Sequence, residues 1–502
     1  MDHFDRIEPE SETHRTEKAL RTLIPGVKLP LAQGSIGIVI DEDHVGTPVG
    51  QHLLVLLVHL LARMKGVVRS VAVHLPTEVP VLPGVPLVGP ALDRGLEGLV
   101  GGLTGPESRF GVDLEIGPSG HPDVLIAVGD RPAADITLGA DAWRALCGGC
   151  VAWARWEDRC PLGPYMAATI GSAEVLKRLL SLNFGIAEAG PVGDLAFSLF
   201  DYGVDREAGI GPDVAELEVR DLAVAGAGAG GTAALYTLAS FPLVHGEVTA
   251  VEPGRLKESS LGRYLMSDYE QVHAGVHKLE SAGSFLRTHV PGLLLSAEPR
   301  RWHEVRREWG TVLCTVDTPD ARWDVQRSGP RVILEAGVAG TLYAILRVVA
   351  GGWCMECKHP PDPGLTWKRR ALRWGLSVEE VKRRSAASVP VARADLERLA
   401  WVQNRSIEDF LDLEGMPFDQ VPALTECGET PLALAVPSQA PVLPLATTAA
   451  GIGLAAEVVK DLTGVGQRLL NYFAHDLRYR PRADAQRFRP RRAGCRGCPE
   501  VA

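Results

Sequence analysis

Gly226, Gly228 and Gly231 are spaced G-x-G-x-x-G directly after the apolar run Leu222–Ala225, and an acid, Glu252, follows about 20 residues later at the end of the next apolar run. The first glycine permits a tight turn, the second clears the approach of a phosphate, and the third lets a helix pack against a strand. N–H groups at the helix terminus then face the anion, and Glu252 can accept from ribose hydroxyls. This fits a dinucleotide or ATP, and the turn does not choose between them. A second chemistry lies in Cys354-Met-Glu-Cys357 and Cys495-Arg-Gly-Cys498. Each C-x-x-C pair can offer two thiolates to one ion, and two pairs complete the four-sulfur shell of structural zinc. Such an ion has no open coordination position, so it would staple the tail to the domain rather than catalyse. Two unrelated reduced pairs is the competing reading, sustained by their long separation. Cys147-Gly-Gly-Cys150, with Cys160, has no second pair nearby and reads as ordinary buried or surface thiols.

The elements that position these residues read as α/β. Leu222–Met266 is a strand, the glycine turn, a helix and a second strand ending on Glu252. Thr311–Asp317 is a strand ending on an acid, so Asp317 stands where open α/β sheets place their ligand chemistry. Arg331–Ala336 is another strand. Upstream, Glu17–Leu23 reads as a short helix, Ser35–Ile40 as a buried strand, Gln51–Met64 as the following helix, and Ser70–His74 and Val124–Val128 as further strands. No glycine fingerprint follows the first of these strands. Ala-Glu-Val-x-Lys occurs at Ala173–Lys177 and again at Ala456–Lys460, each preceded by small residues suited to close helix packing. Its place at the end of each α/β half suggests an internal duplication in which the first copy has lost its phosphate loop. Phe184–Val219, rich in glycine, proline and acids, reads as the link between halves. Lys358–Glu426 interrupts the pattern with helices, one opened by a Ser377/Glu380 capping box and another running from Ser406 to Gly415.

The expected fold is thus two Rossmann-like doubly wound halves with a helical insertion and a zinc-stapled tail. The halves and additions are Met1–Val204 (degenerate), Asp205–Cys357 (nucleotide-binding, first part), Lys358–Glu426 (insertion) and Cys427–Ala502 (completion and knuckle). With 502 residues the chain can hold two or three domains with sizeable cores. A net charge of −10 argues against a general nucleic-acid binder, and the Arg-rich stretches Trp367–Trp374 and Arg478–Arg492 read as solvated faces. Gln51–Met64 is interrupted by His52, His59 and Arg63, which marks a core helix rather than a membrane span. The polar, acidic N-terminus has no signal-peptide core, so a cytoplasmic location is expected. There, nine cysteines point to metal or catalytic use before disulfides.

Beside these features, SSLGRYL with Arg263, GVHKLE with Lys278 and TVDT with Asp317 follow the glycine turn and Glu252 in order and lead into the cysteine knuckles. Over roughly Leu222–Cys357 and Cys427–Cys498 the chain resembles the ThiF/MoeB/HesA family of ubiquitin-activating-enzyme-like adenylyltransferases. The resemblance implies that Gly226, Gly228 and Gly231 surround ATP and Glu252 holds its ribose. It also implies that Arg263 and Lys278 contact the phosphates and Asp317 binds Mg²⁺. Fixed cations suit the charge that builds on departing pyrophosphate when a carboxylate attacks the α-phosphate. Three positions depart from the family pattern: Gly254 where a second acid is common, Ser260 where asparagine is usual, and Tyr264 where glutamine often follows the arginine. Taken singly, Arg263 and Lys278 would read as solvated charges; their joint placement argues otherwise.

The resemblance further implies a homodimer or, as here, fused inactive and active halves, with an N-terminal arginine, Arg15 or Arg21, reaching ATP. Cys427 in LTECGETP lies where the family places an acyl- or sulfur-accepting cysteine; it reads equally as a nucleophile or as a structural thiol. The expected activity is ATP-dependent adenylation of a carboxylate, with the C-terminus of a ubiquitin-like or sulfur-carrier protein as the leading substrate. A peptide or small biosynthetic carboxylate, and less so an RNA base, are alternatives within that chemistry. A nucleotide-dependent binding scaffold without catalysis is the alternative outside it. A nicotinamide dehydrogenase lacks an evident acid/base for hydride transfer.

Overall fold

The computed structural model describes residues 34–64, 66–76, 78–104, 112–117, 120–184, 191–359, 371–372, 374–403, 406–418, 443–495 and 497–498. Arg15, Arg21, Cys427 and the helix expected at Glu17–Leu23 lie outside them. The chain divides into two compact units, Met1–Cys357 with Val442–Ala502, and Lys358–Pro441.

The larger unit holds two sheets. The first contains β1 (Gly34–Ile40), β2 (Val68–His74), β3 (Asp113–Ile116), β4 (Val124–Val128), β5 (Ile136–Ala140), β6 (Arg144–Cys147) and β7 (Leu195–Ser198). The second contains β8 (Glu216–Ala225), β9 (Leu243–Val251), β10 (Leu293–Glu298), β11 (Thr311–Cys314), β12 (Val332–Ala339), β13 (Leu342–Arg347), β14 (Tyr472–Asp476) and β15 (Gln486–Arg487). Their strand orders are β3-β2-β1-β4-β5-β6-β7 and β10-β9-β8-β11-β12-β13-β14-β15. In each, the first five strands are parallel and the remaining pairings antiparallel. Helices on both faces explain why parallel strands such as β1 and β4 are almost continuously apolar. The expected fold of two doubly wound halves is the observed one.

Six helices matter for the site: α1 (Pro48–Ala62), α2 (Leu162–Phe184), α3 (Ala229–Ala239), α4 (Lys278–His289), α5 (Pro319–Arg327) and α6 (Pro444–Thr463). Helix α1 starts with Pro48 at its first position, and the Thr47 hydroxyl accepts from the Gly50 N–H at 3.1 Å. Helix α6 starts with Pro444 and stops at Gly464, whose left-handed φ of 72° closes a bond to the Lys460 carbonyl.

The repeated Ala-Glu-Val-x-Lys occupies corresponding places, for α2 runs between β6 and β7 and α6 between β13 and β14. Glu174 pairs with Lys177 and accepts from the Val192 N–H at 3.1 Å; Glu457 pairs with Lys460 at 2.8 Å and accepts from the Leu469 N–H at 3.0 Å. Each carboxylate therefore anchors the chain just before the next strand begins. The halves also reach into one another: the Tyr202 hydroxyl donates to Glu457 at 2.7 Å, and Lys177 donates to the Arg478 carbonyl at 3.3 Å. The repeated sequence is thus a repeated polar anchor, in which each acid is buried and paired with a lysine.

Four expectations on elements need correction. Phe184–Val219 is not merely a link, because it holds β7 and the start of β8. Strand β7 has all four residues buried, so it shows no alternation to read. Strand β11 ends at Cys314 rather than Asp317: the Thr315 N–H still bonds the Ala225 carbonyl of β8, and beyond it the chain leaves the sheet. In the smaller unit, Ser377 does cap the helix Val378–Ala386, accepting from the Glu380 N–H at 3.1 Å. The Glu380 carboxylate, however, bonds Arg383 and Arg384 instead of completing a box. The segment after Ser406 is a 3₁₀ turn, Ile407–Leu413, without a side-chain cap.

Between the halves of the larger unit, α1 buries His52 and His59 completely, and burial depresses both, His52 to about 3 and His59 well below its usual value. The folded protein keeps both neutral while the unfolded chain takes up protons below about pH 6.5. Stability is therefore expected to be flat above that pH and to fall below it, by about 2 kcal/mol per histidine at pH 5. Urea denaturation at pH 5.0 and 7.5 measures this, and His52→Phe should reduce the difference by about half.

Candidate active site and metal centre

Register sets the stage. Cys314, Ala225, Val251 and Glu298, on β11, β8, β9 and β10, lie side by side across the second sheet. The chain reverses its direction of winding between β8 and β11, so this row borders the crevice where open sheets take ligands. The glycine turn, Glu252 and the turn carrying Asp317 all follow this row.

The three glycines are not equivalent. Gly226 has φ of 89°, and a Cβ there would lie 3.1 Å from the Val316 backbone N. A Cβ on Gly231 would come within 2.3 Å of the Gly226 carbonyl oxygen. These two serve the turn and the packing of α3. A Cβ on Gly228 would meet only the Tyr264 hydroxyl, at 3.8 Å, so this is the face open to a ligand. Gly228 is also the N-cap of α3, with no side chain occupying the helix's first N–H groups. The same position in the first half is closed: Thr47 caps α1, and Asp41, at the end of β1, pairs with Arg131 at 2.6 Å beside exposed Glu42 and Asp43. An anion would meet acids there.

Lys278, the first residue of α4, reaches Glu252 Oε1 at 3.2 Å, and each side chain is 11% exposed. The Gly254 N–H donates to the same oxygen at 2.7 Å, so Oε2 carries neither of these contacts. A Cβ at Gly254 would lie 2.6 Å from Glu252 Oε1 and 2.9 Å from Lys278 Nζ. The departure from the family pattern at Gly254 thus makes room for the pair. We expect Gly254→Ala to push Lys278 from Glu252 and to weaken ATP binding about tenfold with little change in melting temperature, read by calorimetric titration.

The other two departures also have structural uses. The Ser260 hydroxyl accepts from the Lys257 N–H at 3.1 Å and closes the turn that precedes Arg263. Tyr264 is buried, with the ammonium of Lys278 5.6 Å from its ring centroid and its hydroxyl facing Gly228. Among the described residues Arg263 Nε is buried with no acceptor, an unfilled donor beside this cluster. Asp317 is exposed on the turn whose Val316 packs against Gly226. Thr318 caps α5 through the Ala321 N–H at 3.3 Å, and beneath it Arg322 pairs with the buried Glu335. An exposed carboxylate suits Mg²⁺, which keeps most of its waters. The structure therefore gathers Gly228, Glu252, Lys278 and Tyr264 into contact and sets Arg263 and Asp317 on adjoining turns.

Two contributors were not legible as such in the sequence. Tyr264 reads there only as a deviation. Arg63 reads as a polar interruption of a core helix, yet its guanidinium donates to the carbonyls of Leu261 and, at 3.1 Å, Ser267, on either side of Arg263 and Tyr264. The signal was an arginine one turn after a histidine in a helix that is otherwise mostly apolar.

The four knuckle cysteines form the one metal-suited His/Cys/Asp/Glu cluster among the described residues, their sulfur atoms all within 4.8 Å of one another. Cys354 lies 3.6 Å from Cys495 and 3.4 Å from Cys498, and Cys357 lies 3.4 Å from Cys498. Zn–S bonds of about 2.3 Å at tetrahedral angles separate sulfurs by about 3.8 Å, so the donor set fits zinc. Burial works against the Cys357 thiolate, but N–H donation, with Arg492 at 3.2 Å, brings its thiol down to about 7. Gln326, near the end of α5, accepts from the Met355 N–H and donates to the Gly497 carbonyl, each at 2.6 Å. One amide thus joins both knuckles to the helix that begins beside Asp317. Burial raises the thiols of Cys147, Cys150 and Cys160, in keeping with ordinary protonated cysteines. No helix among the described residues is long and apolar enough to cross a membrane.

No protein-family model matches the chain. An uncharacterized protein y4jF of Sinorhizobium fredii is 26% identical over 358 residues, 68% of each chain. Among solved structures, E. coli MccB with MccA-N7isoASN aligns at a TM-score of 0.34 and 13% identity, over 55% of this chain and 66% of that one, just under two thirds of its length. The microcin C7 biosynthetic enzyme MccB in complex with N-formylated MccA aligns at a TM-score of 0.33 and 12% identity, over 72% of this chain and 98% of that one.

Proposed function

We propose that this protein activates a carboxylate with ATP, forming an acyl-adenylate and pyrophosphate. The observation that carries the reading is the Glu252–Lys278 pair, joined through Tyr264 to the open side of the glycine turn, with the buried Nε of Arg263 beside it. A carboxylate oxygen attacks the α-phosphorus, the bond from that phosphorus to the oxygen bridging to the β-phosphate breaks, and pyrophosphate leaves with the bonding pair. No proton has to move. Lys278 and Arg263 offset the charge that accumulates on the leaving group, in a site already shaped for it. Glu252 Oε2 takes the ribose hydroxyls. Asp317 would hold Mg²⁺, which supplies charge neutralisation at the phosphates.

Of the possible acids, we favour a peptide or small carboxylate of a biosynthetic pathway. MccB, a microcin C7 biosynthetic enzyme, has been solved with AMPCPP and MccA together, a pairing of nucleotide analogue and partner of the kind proposed for this chain. Cys427, outside the described residues, is proposed as an acceptor of the acyl group if transfer follows.

The test is ATP–pyrophosphate exchange, run with a peptide library, small acids and carrier proteins ending in Gly-Gly. Exchange with peptides or small acids supports the favoured reading. Exchange confined to carriers moves the substrate to that class. Tight ATP binding without exchange for any acid would leave a scaffold and overturn the enzyme.

A further inference from the structure

We infer that Arg63, which belongs to the degenerate half, is a positioning residue for nucleotide binding in the other half; this rests on the adenylation reading above. Arg63 closes the C-terminus of α1 and is 4% exposed. Its guanidinium donates through Nη1 to the Leu261 carbonyl and through Nη2 to the Ser267 carbonyl. These two carbonyls bracket the segment that carries Arg263 and Tyr264. One planar fork therefore fixes both ends of that segment, which the single ammonium of a lysine cannot match.

The fork is itself oriented. His59, one turn earlier on the same face of α1, lies with Nε2 2.9 Å from Arg63 Nη2. A guanidinium only donates, so His59 accepts there and carries its proton on Nδ1. Burial and the Arg63 charge both keep this imidazole neutral and hence an acceptor. Within the segment, local bonds set only its internal shape: the Tyr264 N–H reaches the Ser260 carbonyl at 2.9 Å, and the Ser267 hydroxyl reaches the Tyr264 carbonyl at 3.0 Å. Arg63 relates that shape to the frame of both halves. A buried guanidinium is costly unless its donors find acceptors, and here carbonyls of the nucleotide-binding half accept from both of its terminal nitrogens. The degenerate half thereby places Arg263 without touching ATP.

The experiment measures the Kd of Mg²⁺–ATP by calorimetric titration of the full chain as wild type, Arg63→Ala, Arg63→Lys, Arg263→Ala and the Arg63→Ala/Arg263→Ala double variant, with melting temperatures alongside. We expect Arg63→Ala to raise Kd about tenfold, Arg63→Lys to recover part of the loss, and the double variant to bind no worse than Arg263→Ala alone. Additive losses in the double variant, or wild-type affinity in Arg63→Ala, would overturn the inference. If Arg63→Ala does not fold, Arg63→Lys and His59→Gln complete the same cycle with Arg263→Ala. A wild type that binds no ATP would sink the adenylation reading and this inference with it, whereas wild-type binding with unchanged variants sinks the inference alone.

Discussion

Lys278→Ala is expected to lower kcat/KM for pyrophosphate exchange by about 10²–10³ while leaving a folded protein. The ammonium is held 3.2 Å from Glu252, with Tyr264 beneath and Gly254 making room, so it is set before ATP arrives. A cation fixed in advance is worth most in the transition state, where charge moves onto pyrophosphate. The loss should therefore appear chiefly in kcat, with a smaller rise in KM for ATP. Removal also leaves the Glu252 carboxylate without that partner in a mostly buried place, which adds a modest stability loss. Single-turnover and steady-state exchange, with melting curves as control, separate these effects. Full exchange in the variant would remove Lys278 from the reaction.

The second large effect concerns the knuckles. We expect one zinc per chain by elemental analysis, and its removal by chelation, or Cys357→Ser, to lower the melting temperature by about 10 °C. The sulfur geometry gives the reason: four donors already lie at near-coordination spacing around one point, so the metal replaces repulsion among thiolates with bonds. The loss should reach the nucleotide site as well, because Gln326 joins Met355 and Gly497 to α5 and thereby to the turn of Asp317. A metal-free preparation with unchanged melting temperature would reduce the cluster to two unrelated pairs.

The sequence reveals the site where local chemistry forces a residue type. Glycine at 226 and 231 is demanded by close backbone, and the knuckles by ligand spacing, so both could be read directly. The Ala-Glu-Val-x-Lys repeat was legible because buried carboxylates and their partners leave little choice. What could not be read depends on contacts between distant segments. Gly254 and Tyr264 look like departures until the Lys278 ammonium is seen between them. Arg63 looks like a blemish in an apolar helix until the carbonyls about 200 residues away are in place. Strand β7 hid because complete burial erases the period of two on which a strand is recognised.

The hydrogen bonds that the first half donates to the second have a consequence for biosynthesis. Tyr202 finds its carboxylate 255 residues later, and Lys177 its carbonyl 301 residues later. At typical elongation rates of about 5–20 residues per second, the first half would emerge from the ribosome tens of seconds before either partner exists. During that interval the Tyr202 hydroxyl would lack its carboxylate and the Lys177 ammonium this carbonyl. Nascent chains would thus spend that period waiting on α6 and the residues just after β14.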